Sequence, residues 1–490
     1  MAKSQWSFKT AVELSAALAA KKVSAVELAQ DAIARIERHD KKINAICVRD
    51  FERGLAAARA ADAALARGET KPLLGIPLTV KESYNIAGLP TTWGIPEQKN
   101  FTPAEDALSI SRVKDAGGVI LGKTNVPFAL GDWQSYNEIY GTTNNPYDLG
   151  RTPGGSSGGS SAALAAGYGP LSLGSDIGGS LRVPAFHCGV YAHKPTFALV
   201  PGRGHTPPPF APLPIDRDLA VIGPMARSAA DLSLLLDAIA GPDPLEAGKA
   251  YRLELPPPRH GALKDFRVLV IDTDLVMPTD KVVRAMIARL AADLGKASVK
   301  VERESRLLPD FAASSRLYMR MLMSFLAASF APDVYAGAQA AAAALPPSDT
   351  SLGAERLRGM VISHRNWLMD DVARARLRAQ WRELFKTFDA VICPVMPTPA
   401  YPHDHSPEQE TRRIKIDGEA HVYLDQLAWP GIATLPGLPS TAIPTGFSPD
   451  GLPIGVQIVG PWLEDRTPLK LAELIEREFG GFKPPPMFDD

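Results

Sequence analysis

Two serine–glycine clusters lie close together in the chain: "RTPGGSSGGSSAALAAG" at 151–167 and "LGSDIGGSLRVPA" at 173–185. Serine is a weak nucleophile and needs a base beside it. Acyl transfer also needs backbone N–H groups aimed at the developing oxyanion. Glycine lets successive N–H groups converge, at a cost in backbone entropy. "DIGGS" ends such a turn on Ser180. A phosphate loop would need G-x-x-x-x-G-K-[ST], and no lysine follows these glycines. A flexible Gly/Ser linker fits badly, because "AALAAG" follows at once and reads as a buried helix whose N-terminus sits on the serines. On this motif alone, a plain turn without chemistry stays open.

Three side chains are candidates for the base. His187 and His193 lie in the apolar run "PAFHCGVYAHKPT". A histidine in such a run is more often a core residue, and neither has an aspartate near it in the sequence. Lys81 ends the apolar run "GIPLTVK". A strand there would carry it into the core, where desolvation favours the neutral amine. Strand period alone allows it equally to exit to solvent.

Other chemistry-bearing residues have weaker claims. Ser111 and Lys114 match S-x-x-K, but the supporting K-T-G element is missing and "GKTN" is not one. His403 and His405 flank Asp404 in "HDH" without a third ligand cluster, so a proline-rich loop is the better reading. Trp133, Tyr136 and Tyr140 in "GDWQSYNEIYG" either line a pocket or stack at the surface. "LYMRMLMSFLAASF" (317–330) spaces methionine and aromatic residues as a core-facing helix would.

The elements that must position these residues alternate in type. Residues 9–38 read as helical, with Leu28, Ala32, Ile33 and Ile36 on one face and Ser24 and Glu27 as a capping box. An alanine-rich helix follows and ends at Gly68. Strand-like runs come at 73–82, 118–125 and 169–179, bounded by Gly or Pro. "SAADLSLLLDAIAG" reads as a helix, "FRVLVIDTD" as a buried strand, "DKVVRAMIARLAADLGKA" as an amphipathic helix leading to "SVKVERE", and "AGAQAAAAAL" as a helix. "FDAVICPV", "STAIPTGF" and "IGVQIVG" would add strands to the same sheet. This alternation predicts an α/β fold with a largely covered sheet. "HTPPPFAPLP" (205–214) is too rich in proline for a helix or central strand and should be a stiff loop, structural or lining a cleft. Residues 241–265 form either a domain linker or a surface crossing, and loop-length priors favour the crossing.

With 45% hydrophobic and 22% charged residues over 490 positions, the chain can bury a large core. A net charge of −1 without basic or acidic blocks speaks against nucleic acid and against disordered tails. Three cysteines give neither a disulfide framework nor a CxxC pair, so a reducing cytoplasm is expected. Glu13 interrupts any signal-peptide core, and no apolar run approaches the ~18 residues of a membrane span.

"GIPLTVKES", "LGKTNVP", "NNPYDLGRTPGGSSGGSSAALAAG", "LGSDIGGSLRVPAFHCGVYAHKPT" and "DGLPIGVQIVG" occur in this order, and together they resemble the amidase signature family. The resemblance spans nearly the whole chain and is vague over about 300–430, the part that varies among these enzymes. It implies a single domain over 1–490 with a substrate-pocket or cap region there. The implied fold is a three-layer α/β/α sandwich around a large mixed, twisted β-sheet. It implies a Ser–cisSer–Lys triad: Ser180 as nucleophile, Ser156 as bridging serine after a cis peptide bond, and Lys81 as base. It also implies an oxyanion hole from the N–H groups of Ile177, Gly178, Gly179 and Ser180. Where relatives often read "GTDIGGS", Ser175 here keeps the hydroxyl. No metal or organic cofactor is implied.

The activity so implied is hydrolysis of carboxylic acid amides to acid plus ammonia or amine through an acyl-enzyme. The glutaminase subunit of a tRNA-dependent amidotransferase, or a carbamate or aryl-amide hydrolase, are the alternatives within the family. A partner-free enzyme is expected, because "HKPTFALVPGRGHTPPP" resembles general bacterial amidases. The aromatic loop and the Met-rich helix lead to the expectation of an apolar acyl pocket that prefers aryl or medium-chain amides to glutamine. The partner would be a small-molecule amide, with no nucleic acid and no membrane. A homodimer stays open.

Overall fold

The computed structural model describes residues 4–274 and 276–488. An eleven-stranded mixed sheet runs through it. In spatial order its strands are Ile46–Arg49, Val119–Thr124, Pro77–Lys81, Leu171–Asp176, Val221–Ala226, Tyr191–Lys194, Ser440–Phe447, Pro453–Val459, Ala390–Cys393, Arg267–Val270 and Lys300–Glu302. Every residue of the strands Leu171–Asp176 and Pro453–Val459 is buried. The edge strands Ile46–Arg49 and Lys300–Glu302 are partly exposed. A strand buried at consecutive positions is covered on both faces, which is the layered α/β architecture expected from the alternation of elements.

Three neighbouring strands, Val119–Thr124, Pro77–Lys81 and Leu171–Asp176, run parallel. Leu78 pairs with Leu171 and Val80 with Leu173, all of them fully buried. Each such side chain contributes about 1.5–3 kcal/mol by leaving water. The register sets Lys81 opposite Thr124, so Lys81, Ser175 and Asp176 emerge at the same end of the sheet. Carboxyl ends of parallel strands are where α/β sheets bind ligands.

The helical stretch predicted over 9–38 is two helices, Ala11–Ala19 and Ala25–Ile43. Lys21 has a φ of 55°, which an α-helix cannot accommodate. Ser24 then restarts the helix with the expected capping box to Glu27. The strand Val221–Ala226 goes beyond the sequence-based expectation, because Pro224 lies within it and proline normally argues against a central strand. Tyr191–Lys194 is likewise hidden, inside the run that holds both histidines.

Residues 205–214 contain neither strand nor helix. Residues 241–265 hold only the short turns Ala247–Lys249 and Leu263–Asp265. Arg259 ties this crossing to the body through Glu464 and the Phe385 carbonyl. A second apolar cluster joins the helices Phe311–Ala327, His364–Thr387 and Ala428–Thr434 through Tyr318, Trp381, Phe385 and Trp429. No helix among the described residues is long and apolar enough to cross a membrane.

Candidate active site

Lys81 is the last residue of its strand and has no solvent exposure. Its Nζ donates to Ser156 Oγ at 2.7 Å and to Ser175 Oγ at 2.9 Å. Among the described residues no carboxylate pairs with it. Burial pushes its pKa down to about 7, against the opposing pull of the Asp176 carboxylate. A lysine held there by neutral hydroxyls exchanges protons near neutral pH.

Ser156 follows Gly155 across a cis peptide bond. Gly155 is packed so tightly that a Cβ would sit 2.4 Å from the Asp132 carbonyl oxygen. The next residue, Ser157, donates its N–H to the Ser180 carbonyl at 3.2 Å, which seats the two serine–glycine clusters against each other. The helix Gly158–Ala165 begins immediately after, and all its residues are buried. Ser156 and Ser180 keep only 2% and 6% exposure, so an acyl group there would react largely out of water. Among the described residues no hydrogen bond joins their two hydroxyls.

The turn that carries Ser180 is organised by Asp176. Its Oδ1 accepts the Gly179 N–H at 2.9 Å and its Oδ2 the Leu181 N–H at 3.1 Å. Arg182 clamps the same carboxylate with Nε and Nη2; both side chains are fully buried. Burial works to raise the Asp176 carboxyl, but the Arg182 charge and these donors hold it below its ordinary value. Arg182 is further satisfied by the Pro430 carbonyl, Gln457 and Thr434. The Gly179 amide is therefore turned toward Asp176. None of the described hydrogen bonds uses the N–H of Ile177, Gly178 or Ser180.

The aromatic loop also comes to this turn. Trp133 is 5% exposed and its indole N–H donates to the Gly178 carbonyl at 2.8 Å. Tyr136 is engaged from the other side of the chain: Arg412 donates to its hydroxyl and His405 stacks on its ring at 3.8 Å. Tyr140 donates to Glu82 at 3.3 Å. Asp132 forms an ion pair with Arg412 and accepts from Tyr423. Residues 398–427 are thereby fastened over the loop.

The rival sites lie elsewhere. His187 is buried against Phe186 and Tyr401, and burial pushes its pKa down to about 3. His193 does have an aspartate, Asp465 at 3.1 Å, supplied from 272 residues away, with Thr441 on its other nitrogen. All three are fully buried, and burial lowers the His193 pKa. Lys114 is bonded to Asp106 at the surface rather than to Ser111. His403 contacts Asn144.

Sequence reading takes Tyr318 as part of the core-facing helix over 317–330 but misses that its hydroxyl donates to the Ile177 carbonyl at 2.6 Å. It also misses Arg356 and Asp425, paired at 2.7 Å in the region where the motif signal is vague. Asp425 lies two residues before Leu427, whose side chain abuts Gly178. The Asp176–Arg182 pair has a readable signal, two opposite charges in an otherwise apolar motif.

Residues 27–469 match the amidase family. The chain is 34% identical to a glutamyl-tRNA(Gln) amidotransferase component from Thermus thermophilus, the A subunit, over 95% of its own length and 96% of that protein. It is similar, with a TM-score of 0.79 and 31% identity, to a chain from a vestigial protein complex tied to the origins of an s-triazine catabolic enzyme, covering 96% of this chain and 98% of that one. A crystal structure of an amidase gives a TM-score of 0.74 at 26% identity, with 96% and 100% covered.

Proposed function

Since the chain belongs to the amidase signature family, we propose that it hydrolyses a carboxamide C–N bond with Ser180 as nucleophile, Ser156 as proton relay and Lys81 as base. The observation that carries this reading is the fully buried Lys81, 2.7 Å from Ser156 and free of any carboxylate partner among the described residues. The Ser180 hydroxyl rotates toward Ser156 when substrate is seated, since catalytic hydrogen bonds often tighten only in the complex.

Neutral Lys81 takes the Ser156 proton while Ser156 takes that of Ser180. Ser180 Oγ bonds to the carbonyl carbon, and the carbonyl electron pair moves onto oxygen, facing the amides of Ile177, Gly178 and Ser180. Each such donor lowers the barrier by about 2.7–4 kcal/mol in comparable oxyanion holes. As the tetrahedral centre collapses, the C–N bond breaks and Ser156 protonates the leaving nitrogen, itself reprotonated by the Lys81 ammonium. Water then attacks the acyl ester through the same relay and releases the acid and Ser180.

For the substrate, the likeness to the A subunits of amidotransferases favours glutamine over the aryl amides expected from the aromatic loop. The Arg356–Asp425 pair supports this, because a guanidinium and a carboxylate side by side complement the carboxylate and ammonium of an amino acid. On that reading the chain works with a protein partner. The second reading is a stand-alone amidase. It is favoured by the amidase structure at 26% identity and by Leu427 and Tyr318 lying beside Gly178. Ammonia release from glutamine, set against aniline release from aryl anilides, separates the two. Turnover of anilides alone selects the second reading. Absence of fluorophosphonate labelling at Ser180 in active protein overturns the triad.

A further inference from the structure

The peptide planes of the turn after Asp176 are held from outside. A planar trans peptide points its N–H and C=O in opposite directions, so a side chain that grips the carbonyl aims the amide of the following residue. Tyr318 Oη donates to the Ile177 carbonyl at 2.6 Å, which turns the Gly178 N–H away from Tyr318. Trp133 Nε1 donates to the Gly178 carbonyl at 2.8 Å, and Asp176 accepts at the other end of that plane, from the Gly179 N–H.

We propose that Tyr318 and Trp133 are positioning residues for the oxyanion hole, Tyr318 by fixing the plane that carries the Gly178 amide and Trp133 by locking the plane next to it. The inference rests on the reading of Ser180 as nucleophile. Neither residue is assigned to touch the reacting atoms. Donation to a carbonyl also polarises its peptide and makes the opposite N–H a better donor, because linked hydrogen bonds reinforce one another.

Both anchors are built in rather than incidental. Tyr318 is 1% exposed, and its ring fits only because residue 431 is glycine: a Cβ there would sit 2.5 Å from Tyr318 Cδ1. Trp133 packs edge-on against Tyr423 at 5.3 Å. Tyr423 is bonded to Asp132, so the indole is fixed from two sides. The anchors come from distant parts of the chain, 141 and 45 residues from the carbonyls they hold.

The experiment compares Tyr318→Phe and Trp133→Phe with wild type. It uses fluorophosphonate labelling of Ser180, which needs no knowledge of the natural substrate, together with steady-state kinetics on the best amide found. Each variant should label and turn over about tenfold more slowly, less than the 10²–10³-fold loss seen when an oxyanion donor itself is removed. KM and the midpoint of the pH–rate profile should not move, because Lys81 is untouched. Unchanged rates overturn the proposal, and so does a rise in KM with kcat intact, which would make these residues substrate contacts. Ser180→Ala run alongside keeps the two ideas apart: retained turnover there defeats the nucleophile assignment, whatever the anchor variants do. Thermal unfolding of both variants checks folding, and Tyr318→Phe, which removes one oxygen, carries the test if Trp133→Phe is unstable.

Discussion

Lys81 and Ser156 are 75 positions apart in the chain and 2.7 Å apart in the fold. The contact exists because a strand end and a glycine-flanked loop meet at the carboxyl end of the parallel strands. It joins a buried amine to a hydroxyl, with no carboxylate bonded to that amine among the described residues, and the predictions on proton transfer follow from it.

On the proposed mechanism the neutral amine is the base, so activity should rise with pH through about 7, where burial sets the Lys81 pKa, and then level off. Lys81→Ala should lose nearly all turnover while remaining folded. Lys81→Arg should not restore it, since a guanidinium does not deprotonate in this range. Measuring kcat/KM against pH, with circular dichroism of both variants, checks this. A folded Lys81→Ala protein with a tenth of wild-type activity would place the base elsewhere.

Lys81→Met should be more stable than wild type near neutral pH. The native pKa of about 7 lies below the roughly 10.4 of an unfolded lysine. Between those values the unfolded chain binds more protons, so wild-type stability rises with pH across that window. Below pH 7 both states are protonated and the full cost of burying an ammonium is present. The variant's advantage should be on the order of 5 kcal/mol at pH 6, at about 1.36 kcal/mol per unit of pKa, and should shrink toward pH 10. Urea unfolding at both pH values tests the trend.

Asp176→Asn should destabilise by about 3–5 kcal/mol, the cost of leaving a buried charge unpaired, here the Arg182 guanidinium. The native Asp176 carboxyl titrates below its unfolded value. Its stabilisation is therefore present above pH 4 and lost as pH falls through the native pKa. Denaturation of wild type and variant should show a wide gap at pH 7 that narrows toward pH 2.

Gly155→Ala should cost at least a hundredfold in activity. The added Cβ meets backbone atoms of Asp132 and Gln134 at 2.4 and 2.8 Å, and backbone cannot rotate aside as a flexible side chain can. A displacement near 1 Å at a catalytic group is enough for a loss of about 10². Wild-type rates with this variant would mean that Ser156 tolerates a shifted loop.

Arg356→Met should raise KM for glutamine about tenfold or more and leave fluorophosphonate labelling of Ser180 unchanged, if the guanidinium holds the amino-acid carboxylate. Equal KM values in wild type and variant would instead mark the Arg356–Asp425 pair as a structural tie between the helix Leu352–Met360 and the turn Tyr423–Leu427.

Glycine and serine spacing, the lysine at the end of an apolar run and the alternation of elements are legible because each is local: a turn, a strand and a cap depend on residues a few positions apart. The nucleophile loop, the candidate base and the α/β class can therefore be read before any coordinates. The choice among Lys81, His187 and His193 cannot, since burial and partners come from elsewhere in the chain; Asp465 reaches His193 across 272 residues. Nor can the loss of the Gly179 amide to Asp176, which depends on how the turn closes. Trp133 reads as either a pocket wall or a surface stacker, and only the fold shows its indole N–H donating to a carbonyl of a distant turn. Pro224 hides a central strand: its missing N–H counts against a ladder in sequence, yet it pairs with Leu173 on one side, and the register with Tyr191–Lys194 on the other covers only Met225 and Ala226. Tyr318 lies in a helix that reads as core-facing, and only tertiary packing brings its hydroxyl to the turn that ends on Ser180; Arg356 and Asp425 lie where the sequence has no motif, and only the fold pairs them.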